Sequence, residues 1–201
     1  MGRTSTARER LLQVAFELIW QQSYGSVSVD HICKRANVKK GSFYYFFPSK
    51  SDLAVAAYEE HWQQCRPNYD RTFSPLVPPL ERLENYCRHV YESQLEKREK
   101  TGCVLGCPFA SLGAELSTQD EKIRYKAQEM FERLCKYIEN TLRDAHKDGL
   151  IEDGDFAAKS QAIFCLVVGM LLHAKVKNDP EVLRQLGPNI LQMIGANAVP
   201  A

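Results

Sequence analysis

From about residue 6 to residue 195, apolar residues recur at spacings of three and four, the period of α-helices with one buried face. Leu12, Ala15, Phe16 and Ile19 form the first such stripe. Thr6-Ala7-Arg8-Glu9 reads as a capping box at its start, and Gly25 closes it. Ser28 caps a short second helix, with Val27 and Ile32 placed as a hydrophobic staple, and Asn37-Val38 links it tightly to a third that ends near Phe47. Ser49-Lys50-Ser51-Asp52 is another capping box, opening a helix that runs through Leu53, Ala56, Ala57 and Trp62 to about Arg66. Pro67, Pro75, Pro78 and Pro79 are then expected to break the chain.

Further on, the pattern predicts a helix over roughly 79–100, stopped by Thr101-Gly102, and a short one with Pro108 in its first position. Ser117-Thr118-Gln119-Asp120 caps a long helix that ends near Gly149. Asp155 opens a helix carrying Phe164, Val167, Val168, Leu171 and Leu172, and Asp179-Pro180 opens a last one with Leu183, Leu186, Ile190 and Ile194. No segment reads as a strand, so the fold class is all-α with about nine helices. The helix after Asp155 is apolar on most of its circumference, so it must be buried in a core or against a second subunit.

With 201 residues and 44% hydrophobic content, the chain can bury a substantial core. No stretch is expected to approach the ~18 to 20 consecutive apolar residues that span a bilayer, and the first six residues lack the apolar run of a signal peptide. No membrane contact is therefore expected. Seven cysteines, an odd number scattered through helical sequence, point to reduced thiols and a cytoplasmic location. The net charge of +1 hides a segregation: residues 1–50 hold eight Lys/Arg and three Asp/Glu, leaving −4 for the remainder. The basic end is suited to phosphate.

Within that basic end, Val38-Lys39-Lys40-Gly41-Ser42-Phe43-Tyr44-Tyr45-Phe46-Phe47, closed by Pro48-Ser49-Lys50, puts ammoniums, hydroxyls and rings on one short helix. With the helix from Ser28 to Ala36 before it, the pair reads as a helix-turn-helix whose second helix enters the DNA major groove. The segment from about Arg8 to Leu53 resembles the DNA-binding domain of the TetR family of transcriptional regulators. That resemblance rests on Ser28 opening the second helix, on Lys40 to Tyr45, on Phe47, and on Ser49-Lys50 opening the fourth. The expected DNA contacts are Ser28, Val29, Lys39, Lys40, Gly41, Ser42, Tyr44, Tyr45 and Lys50. Lysines and hydroxyls would meet phosphate or base edges, and Gly41 would let the backbone approach closely. Phe43 and Phe47 are expected in the core, and His31 and His61 in polar, exposed or capping positions.

The resemblance further implies a helix-turn-helix domain over 1–48 and a larger helical ligand-binding and dimerisation domain over 49–201, connected by the helix at about 49–66. It implies a homodimer built on the last two long helices, through Phe164, Val168, Leu171, Leu172, Leu183, Ile190 and Ile194. Such a dimer suits double-stranded DNA with a palindromic operator. A repressor released by a small-molecule effector, with no cofactor and no enzyme activity, is the expected function; an architectural DNA-binding protein is the competing class.

Candidate effector residues are Cys107, Lys175, Tyr91, Phe131 and His173. Cys107 precedes Pro108 at a helix start, where the dipole favours a thiolate, and Lys175 continues the stripe of Phe164, Val168 and Leu171. Gly106-Cys107, Leu112 to Glu115 and Ala174-Lys175 resemble a subset of TetR-like repressors that sense electrophiles and reactive chlorine species through one cysteine. The alternative function is therefore a redox- or electrophile-sensing repressor switched through Cys107. A packing role for Cys107 and a snorkelling role for Lys175 stay open. Cys103 and Cys107 with His89 or His173 lack the paired spacing of a zinc site, and no metal is expected.

Overall fold

The computed structural model describes residues 2–196. Among these it has nine α-helices, one 3₁₀ segment and no strand. The helices are α1 (Gly2–Gln22), α2 (Val29–Ala36), α3 (Lys40–Phe46), α4 (Lys50–Thr72), α5 (Pro79–Thr101), α6 (Pro108–Leu116), α7 (Glu121–Lys147), α8 (Phe156–Lys177) and α9 (Leu186–Ile194). By their packing, the residues up to Arg66 and Pro108–Met130 form one compact unit, and Pro67–Cys107 with the chain from Phe131 onward form a second.

Side-chain caps explain four of the helix starts. Ser28 Oγ accepts the His31 N–H at 3.1 Å, and Ser49 Oγ accepts from Asp52 N at 3.1 Å while donating to Asp52 Oδ2 at 2.7 Å, a closed capping box. Asp120 Oδ1 caps α7 through Ile123 N and Asp155 Oδ1 caps α8 through Ala158 N. Gly102, at φ 78°, ends α5 in the left-handed conformation that glycine adopts without strain.

Three helix boundaries differ from expectation. α1 begins at Gly2, so Thr6 to Glu9 lie inside it rather than at its start. α4 continues through Pro67 to Thr72. A mid-helix proline forfeits one backbone bond, and the turn beyond it recovers that loss by packing: Phe73 is buried, and Tyr69 stacks on Tyr137 at 6.0 Å. The last helix is split, with 3₁₀ geometry over Pro180–Gln185 and α-helix only from Leu186. Pro188 has no N–H to give the carbonyl of Arg184, so the chain tightens there.

The first unit is centred on aromatic rings. Phe16 of α1 stacks on His61 of α4 at 3.8 Å and meets Tyr58 edge-on at 5.1 Å, while Phe109 of α6 lies 5.7 Å from Tyr58. His61, expected in an exposed or capping role, is instead a half-buried part of this cluster, with Nε2 3.4 Å from Cys65 Sγ. Its helix turns that face onto α1 and α6. α6 also closes on α7: a methyl at Gly113 would stand 2.9 Å from the Ala127 Cβ.

In the second unit, α5 and α8 both pack on the 3₁₀ segment and α9. Leu183, Leu186, Ile190 and Ile194 are fully buried there. α8 buries one stripe through Ile163, Phe164, Val167, Leu171 and Ala174. By length and composition α8 is also long and apolar enough to cross a membrane, correcting the expectation that no stretch comes close. Lys159, Ser160 and Gln161 interrupt the apolar run near its start, but no charge follows until Lys175. One face of it packs on the 3₁₀ segment and α9, while Leu172 and Val176 on the other stay exposed.

Arg82 is almost completely buried, with Nε donating to Val77 O at 2.6 Å and Nη1 to Asp144 Oδ2 at 2.6 Å. It ties the α4–α5 connection to α7. Arg82→Met leaves a carboxylate and a carbonyl without their donor. Because Asp144 is about a third exposed, the expected cost is about 2 to 3 kcal/mol, below that of a fully buried pair. Thermal melting checks this through a decrease of roughly 4 to 12 °C.

Candidate nucleic-acid interface

α2 and α3 are joined by Asn37, whose left-handed backbone (φ 52°, ψ 51°) directs its N–H back to Cys33 and Lys34. Val38 N closes the turn on Cys33 O at 2.9 Å. This two-tier closure is the Schellman arrangement, and it fixes the angle at which α3 leaves α2. Phe43 and Phe47 are buried, as expected, with rings 6.1 Å apart. Anchoring those two turns the rest of α3 outward. Tyr44 and Tyr45 are 53% and 76% exposed, each braced edge-on by a neighbouring Phe ring.

The other expected contacts gather around this helix. Lys39 is exposed at the α3 N-cap, and Ser42 and Val29 are half-buried. A methyl at Gly41 would meet nothing within 4 Å. Lys40 is already engaged: Nζ lies 2.8 Å from Asp30 Oδ1, and that bond holds its pKa above the ordinary lysine value. Asp30 thus sets Lys40's direction and offsets part of its charge. Ser28 uses one of its two lone pairs on the α2 cap.

Lys50 is placed differently from the other lysines. Its Nζ donates to Tyr24 O and Val27 O, both at 2.8 Å, and sits 3.8 Å from the Tyr24 ring centroid. Burial lowers its pKa. Two of its three protons are committed to the turn between α1 and α2. The acidic counterpart on the same turn, Glu115 of α6, was missed by sequence reasoning, although it closes the Leu112 to Glu115 pattern. Its Oε2 accepts Tyr24 N–H at 2.9 Å and its Oε1 accepts Gly25 N–H at 2.7 Å.

The expected effector residues all lie in the second unit. Here the segment 102–107 is gripped by two amides that also escaped the sequence reading. Gln94 Oε1 accepts from Leu105 N and Gly106 N at 3.1 and 2.9 Å, and Asn178 Oδ1 accepts from Val104 N at 2.8 Å. The stem of Lys175 covers Gly106, where a methyl would stand 3.3 Å from its Cδ. Lys175 and the residue preceding Cys107 are therefore brought together. Tyr91 is turned to the surface, donating to Glu181 Oε1 at 2.6 Å and accepting from Arg184 at 2.8 Å. Phe131 meets Phe164 at 4.9 Å, and His173 is exposed. Tyr86, Tyr69, Phe73 and Tyr137 form an aromatic group nearby in the same unit; burial holds the Tyr86 phenol well above its ordinary pKa.

Comparison with known proteins decides what this geometry belongs to. Residues 11–57 match the bacterial regulatory proteins of the tetR family, and residues 79–187, more than half of the chain, match the tetracyclin repressor-like C-terminal domain. The chain belongs to the TetR family. Similar TetR-type proteins include a helix-turn-helix transcriptional regulator from the lacX 3′ region of Lactococcus lactis, 31% identical over 88% of this chain and 87% of that protein. The transcriptional regulator AcuR of Cereibacter sphaeroides is 29% identical over 89% and 81%. The crystal structure of the reduced form of NemR from Escherichia coli superposes with a TM-score of 0.82 and 25% identity, covering 96% of this chain and 99% of that one. This TetR-family protein is a DNA-binding transcriptional regulator of the helix-turn-helix type, all-α as expected.

Two lysines separate phosphate contact from support of the turn. On a duplex selected by this protein from a random pool, Lys39→Ala should reduce the slope of log affinity against log salt by about 1 without changing the melting temperature. Lys50→Ala should lower the melting temperature and change that slope much less. Tyr44→Phe should cost about 1 kcal/mol of affinity if its hydroxyl bonds a phosphate. Titrations at several salt concentrations, with melting curves alongside, read all three.

Proposed function

We propose that this TetR-family regulator is a homodimeric repressor that leaves a palindromic operator when a small molecule binds its C-terminal half. The observation that carries the reading is the combination of an outward-facing, basic and hydroxyl-rich α3 with an uncovered apolar face on α8. Leu172 and Val176 are 59% and 77% exposed, and Met193 of α9 is exposed as well. Water contact with so many apolar groups is unfavourable, and a second copy would remove it. Two α3 helices related by a two-fold axis then call for a palindrome. Double-stranded DNA and an effector are the partners, in the cytoplasm, with no cofactor.

The residues expected to form the dimer divide accordingly. Leu183, Ile190 and Ile194, with Phe164 and Leu171, are buried in their own protomer, because the apolar stripe of α9 faces α5 and α8. They support the interface from behind. Leu172, with half-buried Val168, is where a partner would touch. The proposed domain division keeps α1–α3 as the DNA-reading part over 1–48 and the remainder, 49–201, for ligand and dimer.

A second reading is favoured by the stem of Lys175 lying on Gly106, one residue before Cys107, and by the likeness to the reduced form of a repressor, NemR. In it, Cys107 is modified by an electrophile or hypochlorite and the protein leaves its operator. Burial pushes the Cys87 thiol up to about 12 and raises Cys33 and Cys135. The competitors for reagent are therefore the exposed Cys103 and Cys165 and the half-buried Cys65.

Sedimentation at micromolar concentration tests the dimer. Leu172→Asp should give a folded monomer, whereas Ile190→Asp should unfold the chain, because a charge with no partner in a core costs several kcal/mol. A wild-type protein that sediments as a monomer rules the homodimer out. For the second reading, mass spectrometry after a substoichiometric dose of hypochlorite should find Cys107 modified before Cys103, Cys165 and Cys65, and Cys107→Ser should hold its selected duplex through the same dose. Uniform labelling, or operator binding preserved by fully modified protein, returns Cys107 to packing beside an ordinary ligand site.

A further inference from the structure

The turn from Ser23 to Ser28 is the connection on which the position of α2 and α3 depends, and it is strained. Ser23 has φ 127°, a region that side-chain-bearing residues rarely occupy and that persists only where the surroundings over-determine it. Local bonds contribute in part: Ser23 N donates to Ile19 O at 3.1 Å and Val27 N to Tyr24 O at 3.3 Å, and Ser23 Oγ is 2.9 Å from Ser26 Oγ and 3.4 Å from Ser26 N. The rest comes from two charged side chains outside the turn. Glu115, some 90 residues away in sequence, takes the N–H groups of Tyr24 and Gly25, and Lys50 takes the carbonyls of Tyr24 and Val27. Tyr24 is thus held at its N–H by an anion, at its carbonyl by a cation, and at its ring face by the same cation.

We propose that Glu115 is a positioning residue for DNA recognition, and that its carboxylate, working against the Lys50 ammonium, holds the α1–α2 turn in the one conformation that presents α3 to the groove. Charge-assisted bonds of this kind are about twice as strong as neutral ones, and two of them end on consecutive amides, which fixes direction as well as distance. The fit leaves no slack: a methyl on Gly25 would stand 3.2 Å from Glu115 Oε1. Glu115 lies on α6, which packs on α1 and follows in the chain directly after the segment held by Gln94 and Asn178. A shift of α6 therefore reaches the turn through Glu115. Released from the carboxylate, the turn samples other conformations, and the apparent affinity for specific DNA is multiplied by the fraction of molecules that still hold α3 correctly.

Glu115→Gln tests this, since it keeps the side-chain length but offers one acceptor and sets an NH₂ group against the second amide. In the full-length protein the Tyr24 and Gly25 amides should exchange with deuterium about tenfold faster, with helix content unchanged. Affinity for a duplex selected by the wild-type protein should fall about tenfold, while affinity for an unrelated duplex stays within about twofold. Gly25→Ala, which crowds the same carboxylate from the turn side, should reproduce the pattern and serves if Glu115→Gln does not fold. The double variant should be no worse than the poorer single, because both break one interaction. Unchanged exchange at residues 24 and 25, equal losses on both duplexes, or losses that multiply in the double variant would overturn the proposal.

Discussion

The first unit depends on one ring. Phe16 of α1 stacks on His61, meets Tyr58 edge-on, and through these two connects with Phe109 of α6. Three helices separated by up to about ninety residues share that cluster, and aromatic pairs in such arrangements add stabilisation beyond the area they bury. The helices of the reading head are short: α2 has eight residues and α3 has seven. Helices of that length do not hold together alone in water. They are held because Ile32, Ala36, Phe43 and Phe47 bury on a core that α1, α4 and α6 complete.

Polar groups inside this protein are handled by the same device in both units: a charged or amide side chain from a distant helix satisfies a bend that has no helical partner of its own. Arg82 answers the α4–α5 connection, Gln94 and Asn178 answer the segment before α6, and Glu115 with Lys50 answers the turn before α2. Leaving such backbone groups unmade costs more than making them returns. Each bend is consequently fixed in one geometry and tied to a second element, which is the property a regulator needs at the joints between its parts.

Legibility of the site followed how local each residue's task was. Phe43 and Phe47 as core, Tyr44, Tyr45 and Lys39 as surface, and Ser28 as cap all follow from periodicity and cap chemistry within a few residues. The pairing of Lys40 with Asp30 and the inward turn of Lys50 were not legible, because a lysine near a helix start is suited equally to a phosphate and to a carbonyl. The choice is made by whichever acceptor the fold delivers. The apolar side of the last helical segments was ambiguous for a similar reason. A stripe such as Leu183, Ile190 and Ile194 shows that a helix has an apolar side, but not whether that side meets its own chain or another.

The helix count, the all-α class, the helix-turn-helix and its family were determined by the sequence itself, since capping boxes, a 3.6-residue period and proline or glycine punctuation act over one or two turns. The continuation of α4 through Pro67 was decided by tertiary structure. A proline's local cost of a few kcal/mol is comparable to what one well-packed aromatic turn returns, so the outcome rests on neighbours such as Tyr86 and Tyr137 that lie far along the chain. Glu115, Gln94 and Asn178 are the clearest cases. Each is an ordinary polar residue in sequence, and each acquires its role from the backbone that folding brings within 3.3 Å of it.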